Sequence, residues 1–332
     1  MPHAISLISG DGIGPEVAEA TKYVLSRTGV NIHWEECSCG LQAFAEHGDA
    51  LPKATLSSCR KNGVALKGPT TTPVGKGHVS ANVRLRRELD LYASVRPART
   101  LPGIPARYEG VDIVLFRENT EGLYAGLENQ VSQGVVVSIK VVTEKATDRI
   151  AQAAFKYARK HERKTITAVH KANIMKLGDG LFLERVAGVA KGFPDITYDQ
   201  AIIDALCMRL VKDPTQFDMM LMENLYGDIV SDLCAGLVGG LGVVPGANIG
   251  DRMAVFEAVH GSAPDIAGRG LANPLGLIQS AVLLLEYVGE LSAAERLNEA
   301  IEKAANDREL LSHDLGGTAT TREIAEAIVN KL

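Results

Sequence analysis

The feature that most constrains the fold is an alternation, begun at the N-terminus and repeated along the chain, of short strand-like runs with segments of helical periodicity. Residues 4–9 are an apolar run closed by Gly10-Asp11-Gly12-Ile13-Gly14-Pro15-Glu16. Pro15 stands where the first turn of a helix tolerates proline, so the spacing predicts a strand and then a helix over 17–27. The pattern recurs. Residues 111–116 are a β-rich run, after which Ile150, Ala153, Ala154, Tyr157 and Ala158 fall at helical spacing with Asp148 as the expected cap. Strands are expected over 165–169 and 217–222, with a helix over 181–191 between them. Such alternation produces α/β layers, helices covering a largely parallel sheet. One segment breaks it: residues 131–143 (VSQGVVVSIKVVT) are β-branched with no attached helix, which suggests a pairing arm or an extra strand. Near the end, Thr320 and Glu323 have the spacing of a capping box for the last helix.

With 332 residues, 46% of them hydrophobic, the chain has material for two domains at roughly 150 residues each. Lys and Arg total 35 against 40 Asp and Glu, and the net charge of -5 argues against nucleic acid and anionic membrane as partners, leaving a small molecule. No apolar run reaches the ~18 residues of a bilayer span. The N-terminus has neither the basic region nor the apolar core of a signal peptide, so the chain is expected to start here and to be cytoplasmic. Its cysteines, Cys37, Cys39, Cys59, Cys207 and Cys234, are expected as free thiols, since Cys37 and Cys39 lack a second Cys or His pair at zinc spacing.

Between residues 213 and 251 there is no Lys or Arg, yet Asp213, Asp218, Glu223, Asp228, Asp232 and Asp251 occur there. Asp228 and Asp232, four apart on what reads as a helix, share a face at about 6 Å and repel unless a cation lies between them. Oxygen-only ligands favour magnesium or manganese, and Asp204 in AIIDALCMRL is a third candidate. Asp228 as a helix N-cap with Asp232 solvated is the competing reading. In SANVRLRRELDLYASVRPART, Asn82 and Arg86 share a helix face and Ser80 stands at its start. Arg96 follows the strand-like run 89–95 and Arg117 the run 111–116, so three arginines at element ends offer planar forks for a ligand with several carboxylates. Arg84 and Arg87 read as solvated. Tyr124 and Lys171, each just past a strand, are potential proton carriers, although either alone is more simply structural. The G-x-G-x-x-G frame places Pro15 where a Rossmann third glycine belongs, so that fold is declined. A second small-residue loop, His260 to Gly268 with Asn273 beyond it, would let a ligand approach the backbone or be a plain turn.

Taken together, GDGIGPE, LKGPTTTPVG, ELDLYASVRP, RENTEGLYAG, VHKANIMK, NLYGDIVSD, HGSAPDIAG and DLGGTATTREIAEAI resemble, in order, the metal-dependent β-decarboxylating dehydrogenases of 2-hydroxy acids, the isocitrate, isopropylmalate and homoisocitrate dehydrogenases. The resemblance implies the two-domain α/β fold of that family, with an extended mixed sheet, distinct from Rossmann. One domain would comprise 1–98 plus 237–332, the other 99–236. It implies that Arg86, Arg96 and Arg117 hold the shared malate part of the substrate, that Asp228 and Asp232 with Asp204 of the partner subunit hold Mg2+ or Mn2+, and that Tyr124, Lys171 and Asp204 move protons. A homodimer with shared sites follows, residues 131–143 resembling the intersubunit arm.

Within that resemblance, Ser80 and Asn82 match the isocitrate enzymes, where a hydroxyl and an amide meet the γ-carboxylate, whereas isopropylmalate enzymes place apolar side chains there. Homoisocitrate is the runner-up, since one methylene separates substrates by only about 1 to 3 kcal/mol. Asp265 would accept from the ribose hydroxyls and repel a 2′-phosphate, which with Ile266, His313 and Gly317 implies NAD. His260, Gly261, Ala263 and Asn273 would frame the adenine, with Thr72 nearer the nicotinamide. A non-catalytic regulatory subunit is the alternative of another class, but such a chain is expected to lose residues of the set Tyr124, Lys171, Asp204, Asp228 and Asp232, all present here.

Overall fold

The computed structural model describes residues 2–72, 80–307 and 311–332, so residues 73–75 of the LKGPTTTPVG piece lie outside it. The chain opens with β1 (His3–Ile8), α1 (Gly14–Ser26) with Pro15 in its first turn, and β2 (Ile32–Cys37). Helices α2 (Leu41–His47) and α3 (Lys53–Asn62) lead to β3 (Val64–Lys67), and α4 (Ala81–Glu88) leads to β4 (Ala93–Arg99). There follow β5 (Asp112–Glu118), β6 (Gly122–Ser132), β7 (Val135–Val141), α5 (Glu144–Lys160), β8 (Thr165–His170) and α6 (Gly178–Ala190). Next are β9 (Thr197–Ile202), α7 (Ile203–Lys212), β10 (Met219–Met222), α8 (Asn224–Leu237), β11 (Pro245–Ile249) and β12 (Ala254–Ala258). The helices α9 (Leu275–Tyr287), α10 (Leu291–Ala305) and α11 (Thr321–Val329) complete the described chain.

Ten strands form one mixed sheet in the order β2-β1-β3-β12-β11-β4-β5-β10-β8-β9. Both outer portions are parallel, as the alternation predicts, and antiparallel pairing is confined to β12–β11, β11–β4 and β4–β5. Three reversals make the two parallel portions run in opposite directions. The portion from β2 to β4 draws on residues 3–99 and 245–258, the portion from β5 to β9 on 112–222. Strands β3, β10 and β12 are buried along their whole length, which explains why they show no alternation, β10 being apolar throughout and β3 and β12 apolar save for Lys67 and Glu257. Helix α9, apolar nearly all round, is likewise enclosed, with Leu277, Ile278, Ala281, Leu284 and Leu285 fully buried.

The glycine-rich loop after β1 packs protein against protein. Gly10 and Gly12 have φ of +78° and +58°, and a Cβ on them would meet the carbonyl oxygens of Pro69 and Ser262 at 2.0 and 1.9 Å. The N–H groups of Asp11 and Ile13 donate to those same carbonyls, and the Asp11 carboxylate accepts from the N–H groups of Leu41, Gln42 and Thr71. Its donors are used internally, in keeping with the declined Rossmann reading.

Several local expectations are corrected. Helix α5 is capped by Thr143, whose Oγ1 accepts from the Ala146 N–H at 3.1 Å, and Asp148 lies one turn inside, where Arg185 holds it at 2.8 and 2.5 Å. Helix α8 is capped by Glu223, so Asp228 is not an N-cap. Arg96 lies in the middle of β4 and Arg117 within β5, not beyond their ends; Tyr124 lies within β6. The capping box of Thr320 and Glu323 forms as expected. The segment 131–143 becomes β7 paired with β6 in a separate two-stranded sheet, exposing Val131, Val135, Val136 and Ile139. The five cysteines are free.

Replacing Thr143 by Ala is expected to cost about 1 kcal/mol in urea unfolding, as for a lost N-cap. Asp148→Ala is expected to cost less, since it loses only a partly exposed ion pair.

Candidate active site

Where the two oppositely directed halves of the sheet meet, a cleft of about 250 Å³ is lined by Ser80, Asn82, Arg86, Arg96, Arg117, Tyr124, Asp228 and Asp232. The sequence placed these residues on α4, β4, β5, β6 and α8 far apart in the chain, and the fold brings them to one wall. Ser80 caps α4, its Oγ accepting from the Val83 N–H at 3.5 Å and from the Thr72 hydroxyl at 3.1 Å. Asn82 accepts from the Thr70 hydroxyl at 2.7 Å through Oδ1. With their acceptor sides engaged, these two side chains offer the cleft an O–H and an N–H, a pair of donors suited to a carboxylate.

Arg117 is 1% exposed. Its Nε and Nη2 donate to Asn224 Oδ1 at 2.9 and 2.7 Å, and Nη1 donates to Asp228 Oδ1. This anchoring depends on Gly227, since a Cβ there would come within 2.5 Å of Arg117 Cγ. The Tyr124 hydroxyl donates to the other Asp228 oxygen, and the Arg117 guanidinium lies 5.1 Å from the Tyr124 ring centroid. Burial, then the hydrogen bond to Asp228, pushes the Tyr124 hydroxyl upward, so it holds its proton at neutral pH. Arg96 is also buried, which brings its pKa down to about 10 against the pull of Glu257.

The two acids of α8 are driven apart. Burial works to raise the Asp228 carboxyl, but Arg117, the Tyr124 hydroxyl, Arg86 and Arg96 outweigh it and hold it low. Burial, then the Asp228 charge, raises Asp232. Two carboxylates repelling in one cleft, Asp228 partly buried and Asp232 exposed, are chemically fit for a hard divalent cation, but two oxygen donors do not make a set. Asp204 is not beside them. It sits at the start of α7 with its side chain 68% exposed, paired with Lys171 Nζ, and that hydrogen bond lowers its carboxyl. Among the described residues of one chain, no three His, Cys, Asp or Glu side chains could together hold a metal.

A second cavity of about 550 Å³ shares His260 and Gly261 with the cleft and is walled also by Ala263, Ile266, Asn273, His313 and Asp314. His260 Nε2 is buried without a partner, and burial lowers its pKa, so a neutral imidazole waits at the junction with an unmet hydrogen bond. Thr72 lies exposed at the rim beside Ser80. Asp265 stands on an exposed turn outside the cavity lining, and Asp314, held by Asn273 at 3.2 Å and Ser312 at 2.6 Å, is the acid in the wall.

Sequence reasoning missed Asn224, Asp314 and the buried pair Lys67 and Glu257, which meet at 2.9 Å, Glu257 also contacting Arg86 and Arg96. The signal for the last two was present: a lone Lys in VALKG and a lone Glu in AVFEAV interrupt buried apolar strands, where a charge survives only if paired.

The chain matches the isocitrate/isopropylmalate dehydrogenase family over residues 4–328. It is 51% identical to NAD isocitrate dehydrogenase catalytic subunit 5, mitochondrial, of Arabidopsis thaliana over 100% of this chain and 89% of that protein. It is also 51% identical to the chloroplastic 3-isopropylmalate dehydrogenase of Solanum tuberosum, over 90% of this chain and 84% of the relative. The crystal structure of isocitrate dehydrogenase from Methylococcus capsulatus superposes with a TM-score of 0.96 at 48% identity, over 99% of each chain. Relatives named as NAD isocitrate dehydrogenase subunits from plant, yeast and human are mitochondrial, which overturns the cytoplasmic expectation and favours a mitochondrial location.

Gly227→Ala adds the best helix former to a helix yet drives a methyl group into Arg117. Steady-state kinetics is expected to show an activity loss of about a hundredfold, the scale of a 1 Å misplacement. Thermal unfolding is expected to show a stability loss of about 1–3 kcal/mol from overpacking.

Proposed function

The chain belongs to the isocitrate/isopropylmalate dehydrogenase family, and from that premise we propose that it oxidises and decarboxylates isocitrate to 2-oxoglutarate and CO2 with reduction of NAD. The observation that carries the choice of substrate is the pair of donors left by Ser80 and Asn82 at the mouth of the arginine cleft. An isopropyl group there would leave both unpaired, and sites built to hydrogen-bond a substrate discriminate strongly against analogues that cannot.

In this reading Arg86, Arg96 and Arg117 bind the carboxylates of the malate part. Asp228 and Asp232, with Asp204 of the partner subunit, would hold Mg2+ or Mn2+, which when bound supplies Lewis-acid polarisation of the substrate's oxygen atoms. Lys171 and Asp204 of the partner subunit assist loss of the C2 hydroxyl proton while hydride leaves C2 for the nicotinamide. Breaking the bond to CO2 leaves an electron pair on the adjacent carbon, and Tyr124, kept protonated by burial and Asp228, delivers a proton to it. The cofactor would lie along the second cavity, framed by His260, Gly261, Ala263, Ile266 and Asn273, with Thr72 toward the nicotinamide. Asp265 would meet the ribose hydroxyls, and Asp314 adds a second negative charge unfavourable to a 2′-phosphate.

We propose a division into 1–98 plus 237–332 and 99–236, with the cleft between them, and a site completed by a second copy of the chain. Support comes from the exposed Lys171–Asp204 pair and from the apolar β6–β7 arm, whose exposed valines are unusual on a solvated surface. The relatives named as subunits leave room for unlike partners, and the homodimer is the form proposed for this chain alone.

The test is NADH formation by the purified chain with magnesium, offering isocitrate, homoisocitrate and 3-isopropylmalate in parallel, with NAD and NADP. Isocitrate with NAD is expected to lead, and chelating the metal to abolish turnover. Absence of turnover with all three would favour a regulatory subunit. A lead for homoisocitrate would mean that the donor pair does not fix chain length. Shared sites make a further prediction: Tyr124→Phe and Asp204→Asn chains, each inactive alone, are expected to recover up to about a quarter of parental activity when co-assembled, because one site of each mixed dimer is whole. Sites confined to one chain would give no recovery.

A further inference from the structure

The arginines of the cleft are held in two different ways. Arg117 is anchored to α8 by Asn224 and Asp228, whereas Arg86 from α4 and Arg96 from β4 share one anchor, Glu257. Glu257 lies in β12 and is 4% exposed. Its Oε1 accepts from Arg86 Nη2 at 2.9 Å and from Asn248 Nδ2 at 2.7 Å and lies 3.5 Å from Arg96 Nη2. Its Oε2 accepts from Lys67 Nζ at 2.9 Å, and Lys67, 1% exposed, is its register partner in the β3–β12 pairing. Strand β11 lies between β4 and β12, and Arg96 reaches Glu257 across it. The line continues away from the cleft: Asn248 Oδ1 accepts from Asn119 at 2.9 Å, and Asn119 Nδ2 also donates to the Leu91 carbonyl at 3.1 Å.

A carboxylate beneath the arginines weakens the attraction for an anionic substrate, so attraction does not explain it. Geometry does. Two guanidiniums in a dry cleft repel and splay unless a shared acceptor fixes them, and a fully buried acceptor with four donors has no freedom to move. Lys67 then restores the cationic excess that Glu257 subtracts. We propose that Glu257, with Lys67 as its counter-ion, is a positioning residue that sets Arg86 and Arg96 in the spacing that receives a polycarboxylate substrate. Its carboxylate reaches the guanidiniums directly at the wall of the cleft. The inference rests on the substrate reading above, and is tested with whichever 2-hydroxy polycarboxylate the parent chain turns over, so that failure of isocitrate as substrate and failure of this inference are separate results.

The variants are Glu257→Gln, which keeps shape and loses charge, and the doubly neutral Lys67→Met/Glu257→Gln, which removes both buried ions and is the one read where the single variant does not fold. Both are compared with the parent for KM of substrate, KM of NAD and thermal unfolding. Substrate KM is expected to rise about tenfold or more in each, the scale of losing one partner of a buried charge pair, with the KM of NAD within about twofold. In the double variant the melting temperature is expected to recover while substrate KM does not, because stability needs only charge balance and binding needs the anchor. Substrate KM at the parental value in the double variant would overturn the proposal, leaving the pair a purely structural one. Tighter substrate binding in Glu257→Gln would also overturn it, since the carboxylate would then act only as an opposing charge.

Discussion

The rest of the site depends on keeping three guanidiniums ionised in a place with little water. Arg86, Arg96 and Arg117 are all buried, and a buried cation without partners costs several kcal/mol. Each is therefore tied to a specific acceptor: Asn224 and Asp228 for Arg117, Ser94 and Glu257 for Arg96, Glu257 for Arg86. Those acceptors come from α8, β4 and β12, Ser94 and Glu257 being 163 residues apart in the chain. The architecture around the cleft follows from that need. The middle of the sheet turns antiparallel where β4 and β11 bring Arg96 beside β12, and Gly227 is bare where Arg117 must pass.

The same electrostatics separates the acids. Asp228 is surrounded by cations and a phenol donor, Asp232 by burial and by Asp228, so one is held ionised and the other pushed toward its proton. Two carboxylates one helical turn apart thereby differ in kind, and a divalent cation is the one ligand that would restore their equivalence. Tyr124, bonded to the ionised member, is kept neutral by it. An acid, an anion and a cation-seeking carboxylate are thus set by one helix and one arginine.

What the sequence made legible follows the range of the interaction. Local signals were readable: Pro15 at the start of α1, Ser80 capping α4, the Thr320–Glu323 box, the four-residue step from Asp228 to Asp232. Motif order along the chain also disclosed the family and its fold. Local competition was not readable. Asp148 and Thr143 both qualify as caps by residue type, and only the backbone turn at 143 and the arrival of Arg185 decide between them. Contacts across the sheet were least readable, because nothing in VALKG or AVFEAV states that β3 and β12 are neighbours in register. The location was misjudged for another reason, since it was inferred from the N-terminal residues, and compartment is not a property of packing.

The position of Lys171 and Asp204 follows from geometry rather than from loose folding. Asp204 begins α7 immediately after the edge strand β9, and Lys171 follows β8, its neighbour. They are therefore toward the far rim of the sheet, three and two strand positions from β5, which carries Arg117. At about 4.8 Å between neighbouring strands, those steps are about 14 and 10 Å along the sheet. In the shared-site reading proposed above, the pair would serve the arginine cleft of another copy, with the apolar arm of β6 and β7 as the surface between copies. Of the residues expected to move protons, Tyr124 stands in the arginine cleft, bonded to Asp228, whereas Lys171 and Asp204 pair with each other after β8 and β9.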